Sequence, residues 1–131
     1  MGRGAVRTVA GPLTIEEVAS TGADPATFRV LLGGRDFDKL YGLNQIYYPD
    51  SGASDGLNGR VLMEDFIGGA SATPIITMYD FREKSPRIQQ VTDKLDVDDV
   101  QWRSDGVLLE ASNQWYLYRR GKLSKTKSIS K

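Results

Sequence analysis

The residues of this sequence that could do chemistry are carboxylates and cations alone, because the chain has neither histidine nor cysteine. Lack of imidazole removes the commonest general base, the usual transition-metal ligand and the simplest pH sensor. Lack of thiol removes disulfides, thiolate nucleophiles and zinc–thiolate centres. A Ser-His-Asp triad is excluded with them. What remains is acid–base work by paired carboxylates, as in glycosidases, whose two groups stand roughly 5–10 Å apart. Asp50, Asp55, Glu64 and Asp65 form the set that brackets the longest polar loop. Nothing in the spacing says which of them meet, and the expectation is that the chain is not an enzyme.

Three further stretches invite a chemical reading. Glu16-Glu17 could be a carboxylate pair, but they fit better in the first turn of a helix, where the dipole favours acids. Asp93, Asp96, Asp98 and Asp99 put four carboxylates within seven residues. That could suit a divalent ion or a basic peptide, but acids flanking an exposed turn are ordinarily just solvated. The loop Pro49 to Gly59 carries Gly52, Gly56 and Gly59 with Asp50, Asp55 and Asn58. An EF-hand register starting at Asp50 would place glycine at 55 and glutamate at 61, where Asp55 and Val61 stand. The loop therefore reads as a partner contact made through Asp50, Asp55 and Asn58. Gly68-Gly69-Ala70-Ser71-Ala72-Thr73 lacks the Gly-Lys-Ser/Thr ending of a phosphate-binding loop. No metal and no cofactor are expected.

The cations are organised more clearly. Seventeen bases balance seventeen acids, yet the signs are segregated along the chain. Beyond Glu110 there is no acid, whereas Arg119, Arg120, Lys122, Lys125, Lys127 and Lys131 follow, and Arg3 and Arg7 sit at the start. The stretch between Thr8 and Glu110 is correspondingly acidic. A basic segment interleaved with serine and threonine suits phosphates or an acidic protein groove, with strong salt dependence. The acidic body argues against a broad nucleic-acid surface. Charges of opposite sign at different places on one chain favour heterologous contacts between subunits.

Around these residues the best-specified element is the stretch Val97 to Arg120. Asp105-Gly106 is a hairpin-turn dipeptide, and Ser112-Asn113-Gln114 holds a second turn. With Ser104 opposite Val107, one face reads Val100, Trp102, Val107, Leu109 and Ala111, joined by Tyr116 and Tyr118. Trp115 and Leu117 fall on the back with Leu108. A third strand apolar on both sides belongs in the interior of a sandwich or barrel. The aromatics could stack on bases or sugars, but aromatic cross-strand pairs are the ordinary stabiliser of small sheets. The run DVDDVQWRSDGVLLEASNQWYLY resembles one blade of a WD40-type propeller. It lacks that family's Gly-His and Trp-Asp marks, and no function is carried over. A propeller takes at least four blades of roughly 40 residues, more than this chain can supply.

Elsewhere, residues 1–12 read as a flexible arm with a short edge strand at Ala5 to Val9. Thr14-Ile15-Glu16-Glu17 matches a capping box, predicting a short helix up to Gly22. Asp24-Pro25 predicts a second, carrying Phe28, Leu31 and Leu32. The alternative for residues 25–41 is a hairpin alternating at Phe28, Val30 and Leu32 with Gly33-Gly34 as its turn. Asn44 to Tyr48, Arg60 to Ile67 and Pro74 to Phe81 read as strands. Ser85-Pro86 predicts a third helix burying Ile88, Val91 and Leu95.

The resulting expectation is an α+β, β-rich chain of 131 residues. It has an arm at 1–12, a single globular domain at 13–120, and a basic tail at 121–131. The body would be a small two-layer sandwich or barrel with two or three short helices and a C-terminal three-strand meander. No apolar run approaches the roughly 18 residues needed to cross a bilayer. Nor is there a signal-peptide core, and Val6 stands where a myristoylation motif has serine or threonine. A membrane is not expected as a partner, and a cytoplasmic or virion setting is. The functional expectation is a structural or assembly subunit of a larger complex, contacting other protein subunits through its arm, loop and tail. The alternative is a nucleic-acid or acidic-partner binding module that uses the tail; a small carboxylate-based hydrolase is the remainder.

Overall fold

The computed structural model describes residues 6–18, 26–50, 57–67 and 73–126. Every regular element among them is a β-strand. The strands are β1 (Val6–Thr8), β2 (Gly11–Glu17), β3 (Phe28–Leu32), β4 (Arg35–Leu40), β5 (Asn44–Pro49), β6 (Arg60–Phe66), β7 (Ile75–Asp80), β8 (Arg87–Thr92), β9 (Asp99–Arg103), β10 (Gly106–Ala111), β11 (Gln114–Arg119) and β12 (Lys122–Thr126). They form three four-stranded antiparallel meanders, β1–β4, β5–β8 and β9–β12, each pairing strands in chain order. The α+β expectation is overturned: the described residues are all-β, and they form three layers where two were expected.

Within the described residues each expected helix is a strand, and residues 19–25 of the first two lie outside them. In β2, Leu13 and Ile15 turn inward while Thr14 and Glu16 turn out, so a period of two overrides the capping-box pattern. Glu16 lies directly opposite Arg29 of β3 and accepts its guanidinium at 3.1 Å. In β3 the alternation Phe28, Val30, Leu32 prevails, and Gly33 and Gly34 adopt φ of 60° and 84° in the hairpin turn. That left-handed pair is what a two-residue turn between twisted strands requires. In β8, Val91 lies at an irregularity opposite Ile76/Thr77 and packs inward, whereas Ile88 stays exposed. The apparent helical spacing is therefore not one buried face.

The C-terminal meander keeps its expected faces but not its expected register. Trp102 pairs with Val107, and Val100 with Leu109, two residues from the expected pairing. A shift of two preserves parity, so the same side chains face the core. The turn residues are Ser104 and Asp105, and Gly106 already belongs to β10. Gly106 is needed for close approach: a Cβ there would lie 2.5 Å from the Tyr118 carbonyl oxygen. The second turn falls at Ser112-Asn113, with φ of 51° and 63°. Arg120-Gly121, at 53° and 75°, makes a third turn that adds β12, so the meander has four strands.

The sheets stack face to face with the β5–β8 sheet in the middle. Val61, Met63, Tyr79 and Phe81 of that sheet pack on Leu13, Ile15, Phe28 and Val30 of the first. Its other face, with Leu62, Ile76 and Met78, packs on Val107, Leu109 and Tyr118 of the third. Burial of each such aliphatic side chain stabilises the fold by about 1.5–3 kcal/mol. Strand β6 is covered on both sides, and its charged residues Arg60, Glu64 and Asp65 are buried with the rest.

Those carboxylates hold the connections between sheets. Asp65 points toward the first sheet and accepts the N–H groups of Tyr41 (2.8 Å) and Gly42 (2.9 Å), with Gln45 Nε2 at 3.1 Å. Glu64, one residue earlier, points the other way, accepting the Val97 N–H at 3.0 Å and the Tyr48 hydroxyl at 3.2 Å. Burial raises the Glu64 pKa, Asp96 and Asp98 add to that, and the two hydrogen bonds only partly oppose it. Among the described residues no helix is long and apolar enough to cross a membrane.

Two outcomes follow from these contacts. A Cβ on Gly42 would sit 2.1 Å from the Phe66 carbonyl oxygen, whereas one on Gly33 meets nothing within 4 Å. Gly33→Ala should therefore cost only about 1–2 kcal/mol, from its φ, and Gly42→Ala clearly more; equal thermal midpoints for the two variants would refute this. A carboxyl with a raised folded-state pKa ionises more readily in the unfolded chain. Glu64 thus withdraws stability as pH climbs from the ordinary carboxylate value to its raised one. Thermal midpoints of wild type should fall across that window relative to Glu64→Gln, and parallel profiles would contradict the assignment.

Candidate anion-binding cleft

The hairpin turn Ser104-Asp105, the turn Arg120-Gly121 and the junction between β7 and β8 come together at one end of the stack, around a cleft of about 440 Å³. Five arginines line it, Arg60, Arg82, Arg87, Arg119 and Arg120, against the three carboxylates of Asp80, Glu83 and Asp105. Its wall has a positive excess. Register explains the meeting of such distant residues: Arg87 opposes Asp80 across β7 and β8, while Arg119 and Lys122 close the β11–β12 hairpin.

Two of the arginines are committed to the fold, and Arg119 makes an ion pair at the surface. Arg60 is buried; its Nε donates to Asp50 Oδ2 at 2.8 Å, and its two terminal nitrogens donate to the carbonyls of Arg103 (2.6 Å) and Gly106 (3.3 Å). The same guanidinium lies 4.7 Å from the centre of the Trp102 ring, whose Nε1 donates to the Pro49 carbonyl at 3.1 Å. Arg82 forks onto Asp80 through Nε (2.9 Å) and a terminal nitrogen (2.8 Å), and donates to the Ser104 carbonyl at 2.8 Å. Burial alone would raise the Asp80 pKa, but the hydrogen bonds and charge of Arg82 bring it below the usual carboxylate range. Arg119 reaches Asp105 at 3.2 Å in an exposed pair, of a kind that contributes little.

Arg87 and Arg120 are different. Neither makes an ion pair among the described residues, and both are exposed at the cleft. Arg120 also holds a φ of 53°, a region in which a residue with a Cβ is disfavoured by about 1–2 kcal/mol. At the cleft floor Tyr118 donates its hydroxyl to Gln89 Oε1 at 2.8 Å. Burial raises the Tyr118 pKa, with Arg87 partly offsetting it. The phenol is held as a donor by Gln89, and the cleft presents guanidinium groups. Guanidinium groups presented in this way suit oxyanions.

Of the residues singled out in the sequence, Arg119 and Arg120 line this cleft, and Lys122 opens β12 beside them. Lys125 lies further along β12, while Lys127, Lys131 and Asp55 are outside the described residues. Asp50 is buried on Arg60. Asn58 holds β1 to the start of β6: its N–H and its Nδ2 both donate to the Arg7 carbonyl, at 2.9 and 2.8 Å. Glu64 and Asp65 leave β6 on opposite faces and do not share a cavity. Sequence reasoning missed Arg60, Arg82 and Arg87. An arginine heading the apolar run Val61-Leu62-Met63 was the one available signal. No family model, curated protein or solved structure matches the chain.

The division between structural and unpaired arginines can be measured. Arg60→Ala leaves the buried Asp50 carboxylate without its guanidinium and should cost about 3–5 kcal/mol. Arg120→Gly should stabilise by about 1 kcal/mol, through relief of its φ. Denaturant titrations in which Arg60→Ala is neutral would show that Arg60 does not hold the β9–β10 turn.

Proposed function

We propose that this chain is a non-enzymatic assembly subunit that takes an acidic segment of a partner protein into the arginine cleft. The observation that carries the reading is the pair Arg87 and Arg120. Both border the cleft, neither is spent on an internal ion pair among the described residues, and Arg120 occupies a backbone position that favours glycine or asparagine. An arginine at such a position motivates a role for its guanidinium. Lys122 extends the cationic wall along the edge strand β12. The cleft's own carboxylates, Asp80, Glu83 and Asp105, favour a short acidic segment that reaches particular guanidinium groups over a long phosphate backbone laid across all of them. That weighs against the nucleic-acid alternative.

Fluorescence anisotropy with a labelled oligoglutamate peptide and a labelled single-stranded oligonucleotide tests this. The peptide should bind, more weakly as salt is added. Arg87→Ala and Arg120→Ala should each weaken it about tenfold, the loss of one hydrogen bond to a charged group. Thermal midpoints should stay close to wild type. Tighter binding of the oligonucleotide, with the same two arginines required, would replace this reading with the nucleic-acid one.

A further inference from the structure

The third sheet is electrically polarised along its strands. At the cleft end lie Arg103, Arg119, Arg120 and Lys122 against Asp105, with Arg82 and Arg87 beside them from the middle sheet. At the other end, where β9 begins and β10 finishes, lie Asp96, Asp98, Asp99 and Glu110, four acids against Lys125 of β12. Asp93 is close in sequence, and Lys94 is the one base among residues 93–99. Lys94 pairs weakly with Asp93, 3.8 Å apart and both exposed. Asp96, Asp98 and Asp99 are exposed and make no ion pair among the described residues.

This acidic connection is held in place rather than draped. The Thr73 hydroxyl donates to the Asp93 carbonyl, and the Lys94 N–H donates to Thr92 Oγ1 at 3.1 Å. The Val97 N–H is taken by Glu64 at 3.0 Å, and the Asp98 N–H by the Glu110 carbonyl at 2.7 Å. A connection anchored at four points loses little further conformational freedom on docking. The cleft is equally preset, since its turn carbonyls are fixed by Arg60 and Arg82.

Resting on the cleft reading above, we infer that the acidic partner is a second copy of this chain, whose connection between β8 and β9 enters the arginine cleft of its neighbour. The two surfaces match in charge and lie at opposite ends of one sheet, a strand length of roughly 15 Å apart. One molecule therefore cannot satisfy its own cleft. The contact is heterologous, with the acidic end of each copy meeting the basic end of the next, and repetition gives a ring or a filament.

Light scattering on the full chain after size exclusion, at low and high salt, tests the inference. Wild type should associate with rising concentration at low salt and dissociate at high salt. Arg87→Ala with Arg120→Ala removes the unpaired cations of the cleft, and Asp96→Asn with Asp98→Asn removes the charge of the acidic end. Each double variant should be monomeric alone. Mixed, they should form a complex that stops at two chains, because only one intact pair of surfaces remains. Wild type that stays monomeric at low salt while the oligoglutamate peptide still binds overturns the self-association and leaves the acidic-partner reading standing. Absence of both overturns the two together. A dimer formed by either variant alone would also overturn the proposed contact.

Discussion

The structure depends on one strand being buried on both faces. In β6 every side chain from Arg60 to Asp65 is shielded from water, and pleat alternation sends successive residues to opposite neighbours. Val61 and Met63 knit the middle sheet to the first, and Leu62 knits it to the third. The same alternation sends Asp65 to the Tyr41-Gly42 link and Glu64 to Val97. Two adjacent carboxylates thereby fasten both crossings between layers. A buried carboxylate without donors would cost several kcal/mol, so the connections and the strand specify each other.

From that arrangement the cleft follows. With the third sheet seated on β6, the β9–β10 turn is brought against Arg60 and Arg82, whose guanidinium groups collect the carbonyls of Arg103, Ser104 and Gly106. The neighbouring β11–β12 turn then stands beside the start of β8, which gathers Arg87, Arg119 and Arg120 on one wall. Carbonyl groups that are already paired cannot neutralise an incoming anion's partners, and the arginines left over face solvent. Electrostatic polarity of the third sheet is a consequence of which turns fall at which end.

What could be read from the chain divides by the range of the interaction responsible. Strands β5, β6 and β7 were legible, because runs such as Val61-Leu62-Met63 or Ile75-Ile76 flanked by glycine or proline suit little else. The faces of the last meander were legible too: turn residues at Ser112-Asn113 and near Gly106 set its parity, and parity survives a register slip of two. The three helices were misread where a short local pattern matched two templates. Thr14 to Glu17 satisfies a capping box and a strand equally, and only the partner strand carrying Arg29 distinguishes them. The basic segment that begins at Arg119 folds back at the Arg120-Gly121 turn, since Lys122–Thr126 finds a strand partner in β11.

By itself, the sequence determined the chemistry that is absent, through its lack of histidine and cysteine, and it determined where charge accumulates along the chain. It also set the pairing parity of the last meander at its Ser112-Asn113 turn, a constraint that acts within a few bonds. Only the tertiary structure decided that Arg60, Glu64 and Asp65 are interior, and that Arg82 and Arg87 join Arg119 and Arg120. It alone placed the carboxylates of residues 96–99 at the far end of the same sheet. Those outcomes depend on contacts between residues dozens of positions apart, and stacking of whole sheets, rather than any local preference, brings such residues together.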